Sequence, residues 1–486
     1  MHGLLYIIGA TLMWIMIALA IIHVVMDNRQ PAKTMAWALV IFFVPVVGIV
    51  LYIFVGINHR RKRLVSQRSF DQLSKRSMLS FVEQPDLHVP ERHKPLVELF
   101  VNQSMAMPFR VDEVDIMTDG YAFFPALLRD IARARHHIHI DMYIIEDDPL
   151  GRLVADALIA KARSGVEVRV VYDDVGCWKV SHDFFEQLRK GGIELASFLP
   201  VRFPSFTSKA NYRNHRKLVV IDGQVGYIGG MNIAQRYVKG IECEVENEES
   251  GMRRLPWRDT MLRMTGGVVY ALQRAFLVDW YFVDRTLISS RDYYPPLAST
   301  PHSACIAQVV TSAPVTPYPE IMQGYVHAIT TARNYVYIET PYFLPSEPVL
   351  FALKTAAVGG VDVRLLCPLH SDARYTDWAS RSYLRELHEA GGKVYLYQAG
   401  FLHSKLMVCD DSLCTCGSTN VDARSFENNF EGNVFIYDEA TALRMKQVFL
   451  DDQSCSVDIS EVPDRLNPRF LQKLWESLAR LLSPLL

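Results

Sequence analysis

Residues 211–232 read NYRNHRKLVVIDGQVGYIGGMN, and residues 401–420 read FLHSKLMVCDDSLCTCGSTN. From His215, a Lys follows at +2 (Lys217), an Asp at +7 (Asp222), a Gly at +14 (Gly229) and an Asn at +17 (Asn232). From His403 the same types fall at the same offsets, at Lys405, Asp410, Gly417 and Asn420. If Lys and Asp each fill roughly one position in twenty, the fifteen His of the chain give ~0.04 chance matches to the first three letters. Two matches that also agree at the Gly and Asn predict one duplicated unit. KLVVID and KLMVCD are apolar and β-branched, as buried strands are. Residues two apart in a strand share a face, so each His projects with its Lys. Each Asp has the opposite parity and ends its strand, which favours a structural role. The glycines after the next short strand permit a tight turn that returns the Asn towards the His and Lys.

The duplication extends upstream. An amphipathic helix (FPALLRDIARARHH), a strand (IHIDMYII), a second helix (LGRLVADALIAKARSG) and a second strand (VEVRVVYDD) precede the first motif. GYVHAITTARNY, VYIETPYF, VLFALKTAAVGG and VDVRLLCPL repeat that order before the second. Such βα alternation predicts an α/β fold of two similar lobes, each a mixed β-sheet covered by helices. A stretch rich in Pro, Ser and Thr, about 289–318, reads as the connector between them.

At 486 residues the chain is long enough for two such cores, and its 50% hydrophobic content leaves apolar residues to spare. Leu4 to Met26 is apolar and without formal charge, long enough to cross a bilayer. A signal peptide is disfavoured by the absence of a basic n-region. A second apolar run, Met35 to Ile57, contains Pro45 and Gly48 and reads as a second span, with a re-entrant hairpin as the alternative. The cluster His59-Arg60-Arg61-Lys62-Arg63, with Arg68, Lys75 and Arg76, outweighs Arg29 and Lys33 in the intervening loop, which places the lobes on the cytoplasmic side. Such a cluster also suits anionic headgroups. A net charge of −2 argues against a nucleic-acid partner. The eight cysteines read as reduced core thiols, and Cys414-Thr-Cys416 lacks a second pair at zinc spacing. A Lys beside each His would repel a dication, so no metal and no cofactor are expected. In residues 468–486, Phe470, Leu471, Leu474, Trp475, Leu478, Leu481 and Leu482 share a helical face, with Arg469, Lys473 and Arg480 outside it. That helix either lies in the membrane interface or docks on the protein's own core.

The paired motifs resemble the HKD signature of the phospholipase D superfamily. PAKTMAWALVIFFVPVVGIVLYIFVG, NYRNHRKLVVID, WRDTMLRMTGG, ETPYFLPS, WASRSYLREL and NVDARSFENNFE are similar to segments of bacterial cardiolipin synthases. The resemblance implies two lobes related by a pseudo-two-fold axis, one motif from each meeting in a single site, with His215, Lys217, Asp222, His403, Lys405 and Asp410 as its signature residues. By the commoner order in the superfamily His215 is the nucleophile, forming a phosphatidyl-histidine, and His403 the acid and base. Lys217, Lys405, Asn232 and Asn420 would hold phosphoryl oxygens. Asp259 and Glu431 are the candidates for carboxylates that fix the His tautomers. The implied reaction moves a phosphatidyl group from one phosphatidylglycerol to another, giving cardiolipin and glycerol, in a multi-pass protein of the bacterial inner membrane. Hydrolysis to phosphatidic acid is the alternative, a nuclease and a non-catalytic lipid scaffold are more distant ones, and phosphatidylethanolamine remains open as acceptor. The expected layout is two transmembrane helices (1–58), a basic juxtamembrane helical segment (59–108), the first lobe (109–288), the connector (289–318), the second lobe (319–455) and a C-terminal amphipathic helix (456–486).

Overall fold

The computed structural model describes residues 2–27, 31–56, 87–201, 212–244, 252–288, 290–296, 305–481 and 483. The basic cluster after Ile57, the loop RFPSFTSKAN and part of the connector lie outside them. The chain divides into two compact units, one holding the N-terminal apolar segments and the other both lobes.

In the first unit an α-helix spans His2–Met26, and its stretch Tyr6–Met26 is long and apolar enough to cross a membrane. The second apolar run is not one straight helix. It forms a helix Pro31–Phe43, breaks at Val44, and continues as Pro45–Leu51 with a π turn Tyr52–Gly56. A residue before proline is pushed out of the helical region, and Val44 has φ −132 and ψ 68. The short helix folds back, so that a Cβ on Gly48 would lie 2.8 Å from the Val40 carbonyl oxygen. Residues eight apart in a straight helix are separated by about 12 Å along its axis. The run is therefore a bent segment, with the break caused by Pro45 and the close return permitted by Gly48.

In the second unit each lobe is built on a mixed sheet. In the first, the strands lie in the order Glu113–Met117, Met261–Thr265, Val225–Gly229, Lys217–Ile221, His137–Met142, Glu167–Asp173, Glu194–Phe198. In the second, the order is Ile306–Ser312, Glu431–Tyr437, Leu413–Gly417, Leu406–Cys409, Tyr335–Glu339, Asp362–Pro368, Lys393–Tyr397. Matching neighbours have matching directions, four antiparallel pairings followed by two parallel ones in each lobe. The parallel pairs are those joined by crossover helices, as geometry requires.

Three expected boundaries move. Phe109–Arg110 adds an edge strand to the second sheet by pairing with Ala307 and Ile306, so it does not open the first lobe. Leu96, Val97 and Phe100 of the helix Lys94–Ser104 join the second lobe's core, so the end of the expected juxtamembrane segment is part of that lobe. Ile306–Ser312, inside the expected connector, is a strand of the second sheet, and Ser456–Asp458 closes its other edge. Apolar content decides these cases: IAQVVTS is buried at six of seven positions.

Candidate active site

Both motif strands are buried along their whole length. Asp222 and Gly223 follow the first with positive φ in a tight turn closed by the Gln224 N–H donating to the Ile221 carbonyl. Asp410 and Asp411 follow the second in the same way, with Ser412 N–H donating to Cys409. Positive φ at both central residues is the type I′ hairpin turn, where Asp is among the tolerated side chains. The Asp222 carboxylate accepts from the backbone N–H groups of Arg135, His136 and His137, at 2.7–2.9 Å. Asp410 accepts from those of Arg333, Asn334 and Tyr335, and also pairs with Arg92. The third letter of each motif thus ties the end of its strand to the start of the neighbouring one, and its carboxylate takes no part in the cluster around the histidines.

The histidines are gripped from the opposite lobe. The His215 N–H donates to the Phe430 carbonyl at 2.9 Å, and that of His403 to the Arg258 carbonyl at 2.7 Å. One residue beyond each carbonyl stands a carboxylate on the imidazole: Glu431 Oε1 is 3.0 Å from His215 Nδ1, and Asp259 Oδ2 is 2.6 Å from His403 Nδ1. Short parallel pairings carry these contacts, Trp257–Arg258 with Phe401–Leu402 and Asn214 with Phe430. Asp259 and Glu431, the candidate His-orienting carboxylates, thus each stand on the histidine of the other lobe.

With Nδ1–H donated to a carboxylate, Nε2 of each histidine keeps its lone pair for chemistry. Lys217 Nζ donates to the His215 carbonyl at 2.6 Å and lies 5.0 Å from the Tyr143 ring centroid. Lys405 Nζ donates to the His403 carbonyl and lies 2.8 Å from His403 Nδ1. That nitrogen already donates to Asp259, so the lysine's approach to it is electrostatic crowding and not a second hydrogen bond. Asn232 accepts from the Ile144 N–H at 3.0 Å and donates to the Tyr237 hydroxyl at 2.5 Å, which leaves one amide proton. Asn420 is buried, and its Oδ1 has no hydrogen-bond partner among the described residues.

Burial sets the electrostatics. It pulls Lys217 down to about 7 and lowers Lys405, and it lowers His215 and takes His403 to about 3, with each histidine pushed further by its own Lys. Burial would raise Glu431 and Asp259, but the cations outweigh it: His215 and Lys217 hold Glu431 below the usual carboxylate value, and Lys405 and His403 do so for Asp259. A site with two lysines, two histidines and two ionised carboxylates at its centre accommodates one more negative group, and a phosphodiester supplies it. Its charge would raise the depressed histidines and lysines towards their protonated forms.

Sequence reading missed the surroundings. Tyr143 packs 4.9 Å from the His215 ring and Trp257 5.0 Å from the His403 ring. Gly230 leaves room for Asp259, since a Cβ there would fall 2.0 Å from its Oδ1. Ser418, the counterpart of Gly230, donates its hydroxyl to Glu431. Arg216 donates from Nε to the Glu431 carbonyl at 2.9 Å and pairs with Asp279. In the second lobe Ser404 occupies the position of Arg216, and Arg258 crosses from the first lobe to donate to Asp452 at 3.0 Å. Each junction therefore has one buried arginine beside an acidic pair, Asp141 with Asp279 or Glu339 with Asp452. The HRK and HSK spellings of the motifs were the available signal.

The family described as "Cardiolipin synthase, PLD-like domain" matches residues 127–252 and 325–453, and one described as "Phospholipase D-nuclease N-terminal" matches residues 15–56. Cardiolipin synthase 2 of Bacillus cereus is 39% identical over 467 residues, covering 95% of this chain and 88% of that protein. The major cardiolipin synthase ClsA of Bacillus subtilis is 36% identical over 480 residues, 97% of each chain. A crystal structure of phosphatidylserine synthase from Haemophilus influenzae superposes with a TM-score of 0.61 at 14% identity, covering 82% of this chain and all of that one, a likeness of fold.

Proposed function

The chain belongs to the family of cardiolipin synthases with a phospholipase D-like domain, and from that membership we propose that its two histidines transfer a phosphatidyl group between two phosphatidylglycerol molecules. The observation that carries this reading is the reciprocal pairing of His215 with Glu431 and His403 with Asp259, because it leaves two Nε2 atoms available for opposite halves of a displacement.

Nε2 of His215 attacks phosphorus of the first lipid. The bond to the headgroup glycerol oxygen breaks, and that oxygen takes the proton held on His403, which releases glycerol. The hydroxyl of a second phosphatidylglycerol then gives its proton to His403 and attacks the same phosphorus. The P–N bond breaks, His215 is regenerated and cardiolipin leaves. Lys217 and Lys405 offset charge on the phosphoryl oxygens, with Asn232 and Asn420 as amide donors. The steps are reversible, because the first trades a P–O ester bond for the P–N bond and the second trades it back for a new P–O ester bond.

The first helix supports membrane attachment, and the basic run after Ile57 supports a cytoplasmic position for the lobes in a bacterial inner membrane. The deciding experiment gives the purified full-length protein labelled phosphatidylglycerol and follows products by mass spectrometry. Cardiolipin with equimolar glycerol is expected; phosphatidic acid without cardiolipin would establish hydrolysis instead.

A further inference from the structure

The helix Phe470–Leu481 is docked by one face only. Glu476 and Ala479 are buried, with Glu476 paired to Arg385 at 2.5 Å, while Arg480 pairs with Glu386 at 2.7 Å and its guanidinium lies over Tyr383. Ser483, just beyond the helix, meets the Tyr383 hydroxyl at 3.0 Å. These contacts fix the helix against Arg374–Glu389 and so fix what the other face presents. That face carries Phe470, Leu471, Leu474, Trp475, Leu478 and Leu481, exposed by 43–80%. At 100° per residue they occupy an arc of about 140°.

We propose that this face is a docking surface for an anionic lipid bilayer. An apolar face of large side chains, held open to solvent on a helix anchored by polar contacts, is the arrangement of an interfacial helix and not of a core helix. The charges agree with the choice of partner. The helix's one acid, Glu476, points inward, while Arg469 and Lys473 are exposed and have no carboxylate partner among the described residues. Cations beside an apolar arc complement anionic headgroups. A second copy of the chain fits less well. Twelve residues make a strip about 18 Å long and about 10 Å wide, roughly 180 Å², well short of the roughly 800 Å² per partner of a stable interface.

The test uses full-length protein in nanodiscs containing phosphatidylglycerol, with Cys243 and Cys455 replaced by Ser. A fluorophore is placed at Leu474→Cys or, as a control on an exposed polar position, Glu461→Cys. Brominated lipid should quench the probe at 474 and not at 461, and iodide should reach 461 more readily than 474. Equal behaviour at the two sites overturns the proposal, as does shielding of 474 that grows with protein concentration, the mark of a second copy. These readouts do not depend on turnover, so they stand or fall apart from the assigned reaction. In the activity arm, Leu474→Glu with Leu478→Glu should raise the apparent KM for bilayer lipid about tenfold or more, with kcat and melting temperature kept. An equal loss in bilayers and in detergent-mixed micelles would mean a structural role only, and would count against docking.

Discussion

His215 and Glu431 are 216 residues apart in the chain and 3.0 Å apart in space, and they belong to different lobes. His403 and Asp259 repeat the relationship in reverse. Glu431→Gln and Asp259→Asn keep the shape and remove the charge that stabilises an imidazolium. We expect each to lower kcat about 10²- to 10⁴-fold with KM for phosphatidylglycerol nearly unchanged. Steady-state kinetics on purified variants checks this, and a change confined to KM would count against an orienting role.

The assignment of roles is open to a trapping experiment. With phosphate-labelled phosphatidylglycerol, His403→Ala should retain a small labelled population on a peptide containing His215. The converse pattern, label on His403 in His215→Ala, would reverse the two roles.

Asp222 and Asp410 hold three backbone N–H groups each at a turn of positive φ. Replacement by Ala removes these bonds and strains the turn, a cost of about 1–3 kcal/mol that should be larger at Asp410, whose donors are more buried than the exposed ones facing Asp222. Denaturant unfolding should show the loss, while activity per folded molecule stays within about threefold of the parent. A fully folded but inactive Asp222→Ala would assign that carboxylate to the chemistry.

Arg216→Met strands Asp279 beside Asp141 without its cation, and should destabilise by about 3–5 kcal/mol. Adding Asp279→Leu should recover much of that, so the double variant falls well short of the sum of the two singles. Additive effects in the unfolding free energies would refute the pairing.

Gly230→Ala places a methyl group on the Asp259 carboxylate and should reduce kcat about 100-fold by displacing it from His403. Ser418→Gly, its counterpart, removes one hydroxyl from Glu431 and should cost about tenfold or less. The reverse ranking of the two variants would rule out the steric argument.

Acid stability should fall steeply. His137 and His139 are buried under the first sheet and bridged by Gln273, and burial holds His137 at about 3 and His139 well below its ordinary value. Above pH 6.5 both are neutral in the folded and unfolded chain and contribute nothing. Between pH 6.5 and about 3 the unfolded chain takes up protons the folded one refuses, so unfolding is favoured by about 1.4 kcal/mol per pH unit for each such histidine. The second lobe has Tyr335 and Tyr337 at the corresponding positions. Copying them, with His137→Tyr and His139→Tyr, should flatten the acid limb of a melting-temperature profile between pH 7 and 4. An unaltered limb would trace acid lability to other groups.

The duplicated unit and its strand content were legible because KLVVID and KLMVCD announce buried strands and the motif spacing repeats without a slip. The position of Asp222 and Asp410 at strand ends was legible from parity. The exchange of Asp259 and Glu431 between lobes was not, because sequence records distance along the chain and this contact is made by docking two finished sheets. Ile306–Ser312 was hidden by the polar residues around it, although six of its own seven residues are buried. The bend at Val44 is local chemistry that Pro45 states openly, but hydropathy averages over it. Arg216 and Arg258 were obscure because both come from the first lobe, with Ser404 standing at the second lobe's counterpart of Arg216, so that aligning the repeats shows only a mismatch.

The crossed carboxylates also bear on synthesis at the ribosome. When the first lobe emerges, His215 has no Glu431 and Asp259 has no histidine to orient. Both pairs are complete only when the strand that begins at Glu431 is in place, so the last quarter of the chain finishes a site that the first lobe begins.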